Sequence, residues 1–212
     1  MQKKNIMNSS AKYTFPLFES VCVLEGIILN ATHHLMRFEV SYQAYYHKKP
    51  TFKLFDQIKI PKTFQHGKVK LRISYNQTQK KYTFEQYQKK KIETLKMVYA
   101  DAIDYNLKRE NRNQINTLYQ KKENHDDILI VKKKWLTDTS YANIILWDGY
   151  AWYTPDTPLL LGTKRMKLLQ EKNISEVPIH VQNLNEFKGF QLINALLDFN
   201  PNTFIPIQNI VV

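Results

Sequence analysis

The stretch "LTDTSYANIILWDGYAWY", residues 136–153, decides how the second half of the chain folds. Two apolar runs, IIL and YAWY, flank Asp148–Gly149. That pattern predicts two strands joined by a type I′ hairpin turn, which needs φ > 0 at both central residues. Asp138 fits no turn. It stands beside a strand between small hydroxyl residues, in a chain whose 31 Lys and Arg outnumber its 19 Asp and Glu. A carboxylate in such a place awaits a cation.

The remaining chain sets the frame for that acid. With 212 residues, 43% hydrophobic and 24% charged, it is long enough for one large domain or two small ones. No run approaches the ~18 apolar residues of a membrane span, so no membrane partner is expected. The segment MQKKNIMNSSAKYTF has no apolar core of a signal peptide. Cys22 is the only cysteine. An intrachain disulfide is therefore excluded, which fits a reducing cytoplasm. Cys22 reads as a small buried hydrophobe. The formal charge of +12 comes from lysines scattered at turns and strand ends, with no basic helix stripe. This describes a Lys-rich surface rather than a nucleic-acid interface. His33 and His34 have no further ligand at metal spacing, so no metal is expected.

Along the chain, LFESVCVLEGIILN predicts two strands around Glu25–Gly26. A helix over 30–49 is capped by Asn30 or Thr32 and buries Leu35, Phe38, Tyr42 and Tyr45 on one face. Pro50 and Pro61 bracket a second short helix. KVKLRISYN and KKYTFEQY alternate as strands. KIETLKMVYADAIDY reads as strand then loop, and NRNQINTLYQKK as a short helix. DDILIVKK, KWLTDTSYANIILW and GYAWYTP are strands, TKRMKLLQEK a helix, and FKGFQLINALLDF a strand with a turn. The balance of helix and strand changes near residue 100. The expected organisation is α+β, with a small N-terminal α/β domain over 1–103 and a larger strand-and-helix domain over 104–212.

The helix after Gly162 opens with Lys164 and Arg165. Cations in a first turn oppose the helix dipole, while the free N–H groups there favour an anion. A bound phosphate reconciles the two.

Six segments, in order, resemble the class IV aminotransferase family of pyridoxal-phosphate enzymes. They are FES…EG (18–26), HLMR (34–37), LKRENR (107–112), TDTSYAN (137–143), GTKR (162–165) and INAL (193–196). The resemblance covers nearly the whole chain. It implies the two-domain fold of that family, with pyridoxal 5′-phosphate in the interdomain cleft. It implies that Lys108 bonds covalently to the cofactor and moves the proton at the carbon bearing the amine. Arg37 would bind the phosphate, aided by the backbone amides of Thr163 and Lys164 and by Asn194 or Ala195. Asp138 would face the pyridine nitrogen. Arg109, if turned inward, would lower the pKa of Lys108. Lys91 and Lys96 are the rival lysines if the register shifts, and Asn143 reads as a tie for strand or turn backbone. Family members act on small-molecule amino substrates and are usually homodimers.

Two departures stand out. The family usually carries Glu where this chain has Asp138, and GTKR replaces Gly-Ile-Thr-Arg. The chain is also shorter than the usual member. Lys108-x-x-Asn111-Arg112 looks more like the aminodeoxychorismate lyases, which release pyruvate and 4-aminobenzoate for folate synthesis, than like the branched-chain transaminases. Branched-chain or D-amino-acid transamination is the alternative reaction. A fold relative without catalysis is the alternative of another class.

Overall fold

The computed structural model describes residues 14–211, so most of the N-terminal segment read above lies outside the described residues. Two sheets form the frame. The smaller has four strands in the order β2-β1-β3-β4. Its members are β1 (Leu17–Leu24), β2 (Ile27–Ile28), β3 (Lys68–Tyr75) and β4 (Lys80–Gln86). All its pairings are antiparallel. The β1–β2 hairpin turns at Glu25 (φ 48) and Gly26 (φ 76), with Leu24 opposite Ile27. This is the two-residue turn with both φ positive, and a glycine stands where the backbone most needs one.

Helix α1 (Ala31–Tyr46) packs on this sheet. Phe38 and Tyr42 are fully buried on the expected face, with Leu35 and Tyr45 packed at its margin. Burying Phe38 alone contributes about 1.5–3 kcal/mol. A second set at helical spacing, His34, Arg37 and Ser41, is also buried. That polar row leads to the site described below. Asn30 occupies the N-cap position but makes no cap bond. Its amide donates instead to the Thr163 carbonyl at 2.9 Å. His47, at φ 56, ends the helix.

Residues 51–60 do not form the expected helix; they run as turns around a fully buried Leu54. The cause lies far along the chain. Lys80 Nζ donates to the carbonyls of Lys53, Leu54 and Asp56 at 2.6–2.8 Å. Those acceptors are thereby satisfied outside any helical ladder.

The larger sheet has nine strands: β5 (Leu95–Tyr99), β6 (Asp127–Lys132), β7 (Trp135–Thr139), β8 (Asn143–Trp147), β9 (Trp152–Pro155), β10 (Ser175–Val177), β11 (Gly189–Ile193), β12 (Ile205–Pro206) and β13 (Ile210–Val211). Its path is β10-β9-β8-β7-β6-β5-β13, with β11 pairing β8 and β12. The helices α2 (Asn113–Tyr119) and α3 (Thr163–Gln170) follow where the sequence placed them. β5 belongs to this sheet, pairing parallel with β6. The change from the smaller to the larger sheet falls between Gln86 and Leu95. Each sheet carries its own apolar cluster. No helix among the described residues is long and apolar enough to cross a membrane.

The β8–β9 hairpin corrects the turn read at Asp148–Gly149. Trp147 pairs Trp152, so the loop holds four residues, and only Gly149 has positive φ (111). Asp148 Oδ1 accepts the N–H groups of Tyr150 (2.7 Å) and Ala151 (2.8 Å). Asp148 is thus a turn former through its carboxylate rather than its backbone.

Candidate active site

A cavity of ≈ 670 Å³ lies between the two sheets. Arg37, Lys108, Asp138, Thr163, Asn194 and Ala195 all border it. Lys164 does not. Its ammonium runs to Asp198, 3.6 Å away. Lys91 and Lys96 are not at the cavity either; they lie near Glu93 and Glu123 respectively.

Lys108 sits on a segment without regular secondary structure that β1 holds in place. Phe18 N–H donates to the Lys108 carbonyl at 3.0 Å, and Glu110 N–H donates to Pro16 at 2.8 Å. Leu17 and Arg109 form an isolated bridge between them. The side chain borders the cavity, with Nζ 4.8 Å from the centre of the Phe18 ring. Burial lowers the pKa of the amine to about 7, and the nearby charges of Arg37, Arg112 and Arg72 act in the same direction against Glu19. Arg109 is not among these cations. It turns outward to Asn106 (3.2 Å) and Asp104 (3.9 Å). Arg112 instead donates to the Ser140 carbonyl at 2.5 Å, and Arg72 lies 3.6 Å over the Phe18 ring while bonding Glu110.

Asp138, the penultimate residue of β7, pairs with Asn143, which opens β8. The Thr139 hydroxyl fixes the tight connection, accepting from Ala142 N–H at 3.2 Å. The spacing of five residues therefore brings the two side chains face to face. Asn143 Nδ2 donates to Asp138 Oδ1 (2.7 Å) and to the Leu160 carbonyl (3.0 Å). Leu160 N–H donates to Asp138 Oδ2 at 2.9 Å. Burial raises the Asp138 pKa to about 6, against these neutral donors and the more distant charge of Arg165. Gly162 is confined here: a Cβ on it would collide with Asn143 Oδ1.

The α3 end of the cavity offers free backbone donors. In α3 the first helical bond runs from Met166 N–H to Gly162. The N–H groups of Thr163 and Lys164 precede it and have no partner within the helix. The side chains of Lys164 and Arg165 leave this turn. Arg165 is buried and donates to Pro155 (2.9 Å) and Glu176 (2.5 Å). Asn194 Oδ1 accepts from Leu196 (2.8 Å) and Leu197 (3.0 Å), so that side chain fixes its own turn beside the cavity.

Arg37 reaches the same end from α1. Glu19, fully buried on β1, takes its Nε at 2.9 Å and its NH2 at 2.5 Å. Glu19 Oε2 also accepts from His34 Nδ1 at 2.6 Å. Burial favours a neutral imidazole. Nδ1 then carries the proton, and Nε2 is free to accept from the Thr163 hydroxyl at 3.3 Å.

This ion pair sets an acid limit on the fold. Burial works to raise the Glu19 pKa, but Arg37 and His34 outweigh it and hold the carboxyl at about 2 instead of 4.5. A depressed carboxyl stabilises above its unfolded pKa, and the benefit disappears as pH falls through the folded one. Unfolding free energy should therefore drop by about 3 kcal/mol between pH 4.5 and 2 from this group. Denaturant titrations of wild type and Glu19→Gln over that range would check it. An equal drop in both would remove Glu19 from the explanation.

Glu19, His34, Arg72 and Arg112 carry much of this geometry, and none was given a role from sequence. Glu19 had a usable signal, the same as Asp138: an acid inside an apolar strand. Arg112 stood in the motif after Lys108 without a role, and Arg72 had no signal, since its approach to Lys108 depends on how the chain folds back through β3.

Residues 16–205 match the family Amino-transferase class IV. The chain belongs to that family, which works with pyridoxal phosphate. An uncharacterized protein of Haemophilus influenzae is 41% identical over 184 residues, 86% of this chain and 98% of its own length. A crystal structure from Haemophilus somnus, described as a "putative 4-amino-4-deoxychorismate lyase", is 35% identical with a TM-score of 0.77, covering 87% of this chain and 97% of its own. A hypothetical aminotransferase from Mycobacterium tuberculosis in PLP-bound form is 12% identical with a TM-score of 0.71, over 92% of this chain and 83% of its own. At that identity the likeness shows the fold alone. The α+β class IV fold and the enzyme class expected from sequence are both met.

Proposed function

We propose that the cavity binds pyridoxal 5′-phosphate and that the enzyme is an aminodeoxychorismate lyase, releasing pyruvate and 4-aminobenzoate. The residues fit such a cofactor. Arg37 and the first turn of α3 would hold the phosphate, Lys108 the aldehyde carbon, and Asp138 the ring nitrogen. When bound, the cofactor supplies an aldehyde that bonds to amines and a ring that accepts electrons from the carbon beside the amine.

The chain's own groups do the rest. With a pKa near 7, Lys108 is uncharged often enough at neutral pH to act as nucleophile and then as base. It takes the ring proton next to the substrate's amine. The three-carbon side chain leaves with its bonding electrons and is protonated to pyruvate. Asp138, buried and short of charge partners, keeps a proton on the ring nitrogen by remaining an anion beside it.

One observation carries the choice of substrate class. Beyond Arg37 and Lys108, which the cofactor would engage, four cations, Lys70, Arg72, Lys90 and Arg112, border the cavity, against Glu85 as the one acid besides Asp138. That excess suits a doubly carboxylated substrate. The 35% identical relative points to the lyase among such substrates. The same cations suit 2-oxoglutarate, so amino-acid transamination is the second reading. Aminodeoxychorismate supplied without a keto acid separates them. Pyruvate release is expected; amino-group exchange without pyruvate would reject the lyase. Met36 and Val40 on α1, with Leu161 beside Arg37, are exposed apolar groups that support a homodimer. The single buried thiol, Cys22, supports a cytoplasmic setting for folate synthesis.

A further inference from the structure

The phosphate end of the cavity is assembled from two elements that belong to different sheets. Arg37 comes from α1, on the small sheet, and the free N–H groups come from α3, after β9 of the large one. Four hydrogen bonds tie α1 and its cap to the region of α3. Asn30 Nδ2 donates to the Thr163 carbonyl at 2.9 Å, and His33 pairs with Gln170 at 2.9 Å. Arg37 NH1 reaches the Leu161 carbonyl at 3.4 Å, and His34 meets the Thr163 hydroxyl at 3.3 Å. Two of the four residues that cross from α1, His34 and Arg37, converge on one carboxylate, Glu19.

We infer that Glu19 is the positioning residue of the phosphate site: it aims Arg37 and, through His34, keeps that arginine in register with the first turn of α3. A phosphomonoester is then gripped across the seam between the two sheets. This rests on the pyridoxal phosphate reading above.

Two effects of Glu19 oppose each other. Its charge repels a phosphate, whereas its fork holds the guanidinium in one orientation. Glu19 is fully buried and does not border the cavity, while Arg37 does. The guanidinium therefore stands between the two anions. With Nε and NH2 committed to Glu19, NH1 is the edge directed at the Leu161 carbonyl beside α3. Loss of the fork would free a long side chain to lose that aim, and orientation should outweigh repulsion. The Thr163 hydroxyl is engaged with His34, so Thr163 serves the phosphate through its backbone N–H.

The test compares pyridoxal phosphate with pyridoxal, which lacks only the phosphate. Full-length protein freed of cofactor is titrated with each by absorbance, as wild type, Glu19→Gln and His34→Gln, with thermal midpoints recorded alongside. Glu19→Gln should weaken pyridoxal phosphate by about 10- to 100-fold, and pyridoxal by no more than about threefold on the same scale. His34→Gln should erode the preference less, by about three- to tenfold. A purely structural role would weaken both ligands alike or lower only the thermal midpoint, and that result would overturn the inference. So would tighter phosphate binding in Glu19→Gln, which would make repulsion the larger effect. If Glu19→Gln does not fold, His34→Gln decides: an unchanged preference rejects the proposal. Wild type without any preference for the phosphate form would reject the pyridoxal phosphate reading itself.

Discussion

Replacing Lys108 with alanine is expected to lower turnover by more than about 10³-fold, because one amine does two tasks. On the proposed reading it would bond the cofactor and move the proton. The cavity borders two other lysines, Lys70 and Lys90. Lys70 is tied to Glu85 at 2.8 Å. A nucleophilic amine needs surroundings that lower its pKa. Lys108 has those surroundings: burial first, then Arg37, Arg112 and Arg72. In wild type, cofactor capture should rise with pH up to about 7, as the amine loses its proton, and then level off. Lys108→Ala should lose that profile along with turnover. Steady-state assays and capture rates between pH 5.5 and 9 measure both. A variant that kept even a tenth of wild-type turnover would show that another group is the base.

Asp138→Asn is expected to bind cofactor and still lose about 10²- to 10³-fold in turnover. The carboxylate accepts from two donors, Asn143 Nδ2 and Leu160 N–H. An amide offers one acceptor, so one of these donors must turn away, and the charge proposed to face the ring nitrogen is gone. Binding depends on the phosphate end and on Lys108, which the change leaves in place. Cofactor absorbance and steady-state turnover, measured together, separate the two effects. Unchanged turnover would mean that Asp138 faces something other than the cofactor ring.

The family's preference for glutamate here also has a local counterpart. Aspartate is a methylene shorter, and in this chain it sits at the end of β7, directly across from Asn143. That cross-strand pairing and the Leu160 amide fix its direction. Gly162, with no room for a side chain against Asn143, belongs to the same packing.

Much of this was legible from residues. Period-two alternation placed β3 and β4, and apolar runs placed β6 and β9, because those patterns record which faces are buried. The run KWLTDTSYANIILW, read as one strand, folds back on itself as β7 and β8, with the turn at Ser140–Ala142. The row Phe38 and Tyr42 marked the packed face of α1 for the same reason. Failures came where a side chain, distant or local, settles the backbone. Lys80 satisfies three carbonyls of residues 53–56 and removes the reason for a helix there. Asp148 gathers two amides and turns a two-residue hairpin into a four-residue loop. Of the site, the ordered motifs brought six named residues to one cavity, but not the groups that orient them. Glu19 was inside a quoted motif without a role, and Arg109 was favoured over Arg72 and Arg112. Sequence neighbours of Lys108 were visible; spatial neighbours from β3 and α2's approach were not.

The central claim is that Lys108 is the amine that holds pyridoxal phosphate in the cleft between the sheets. Borohydride reduction of the protein with its cofactor, followed by peptide mass mapping, tests it most directly. The expected result is one phosphopyridoxyl group on the peptide containing Lys108. No label, or label on Lys70, Lys90, Lys91 or Lys96 instead, would contradict it.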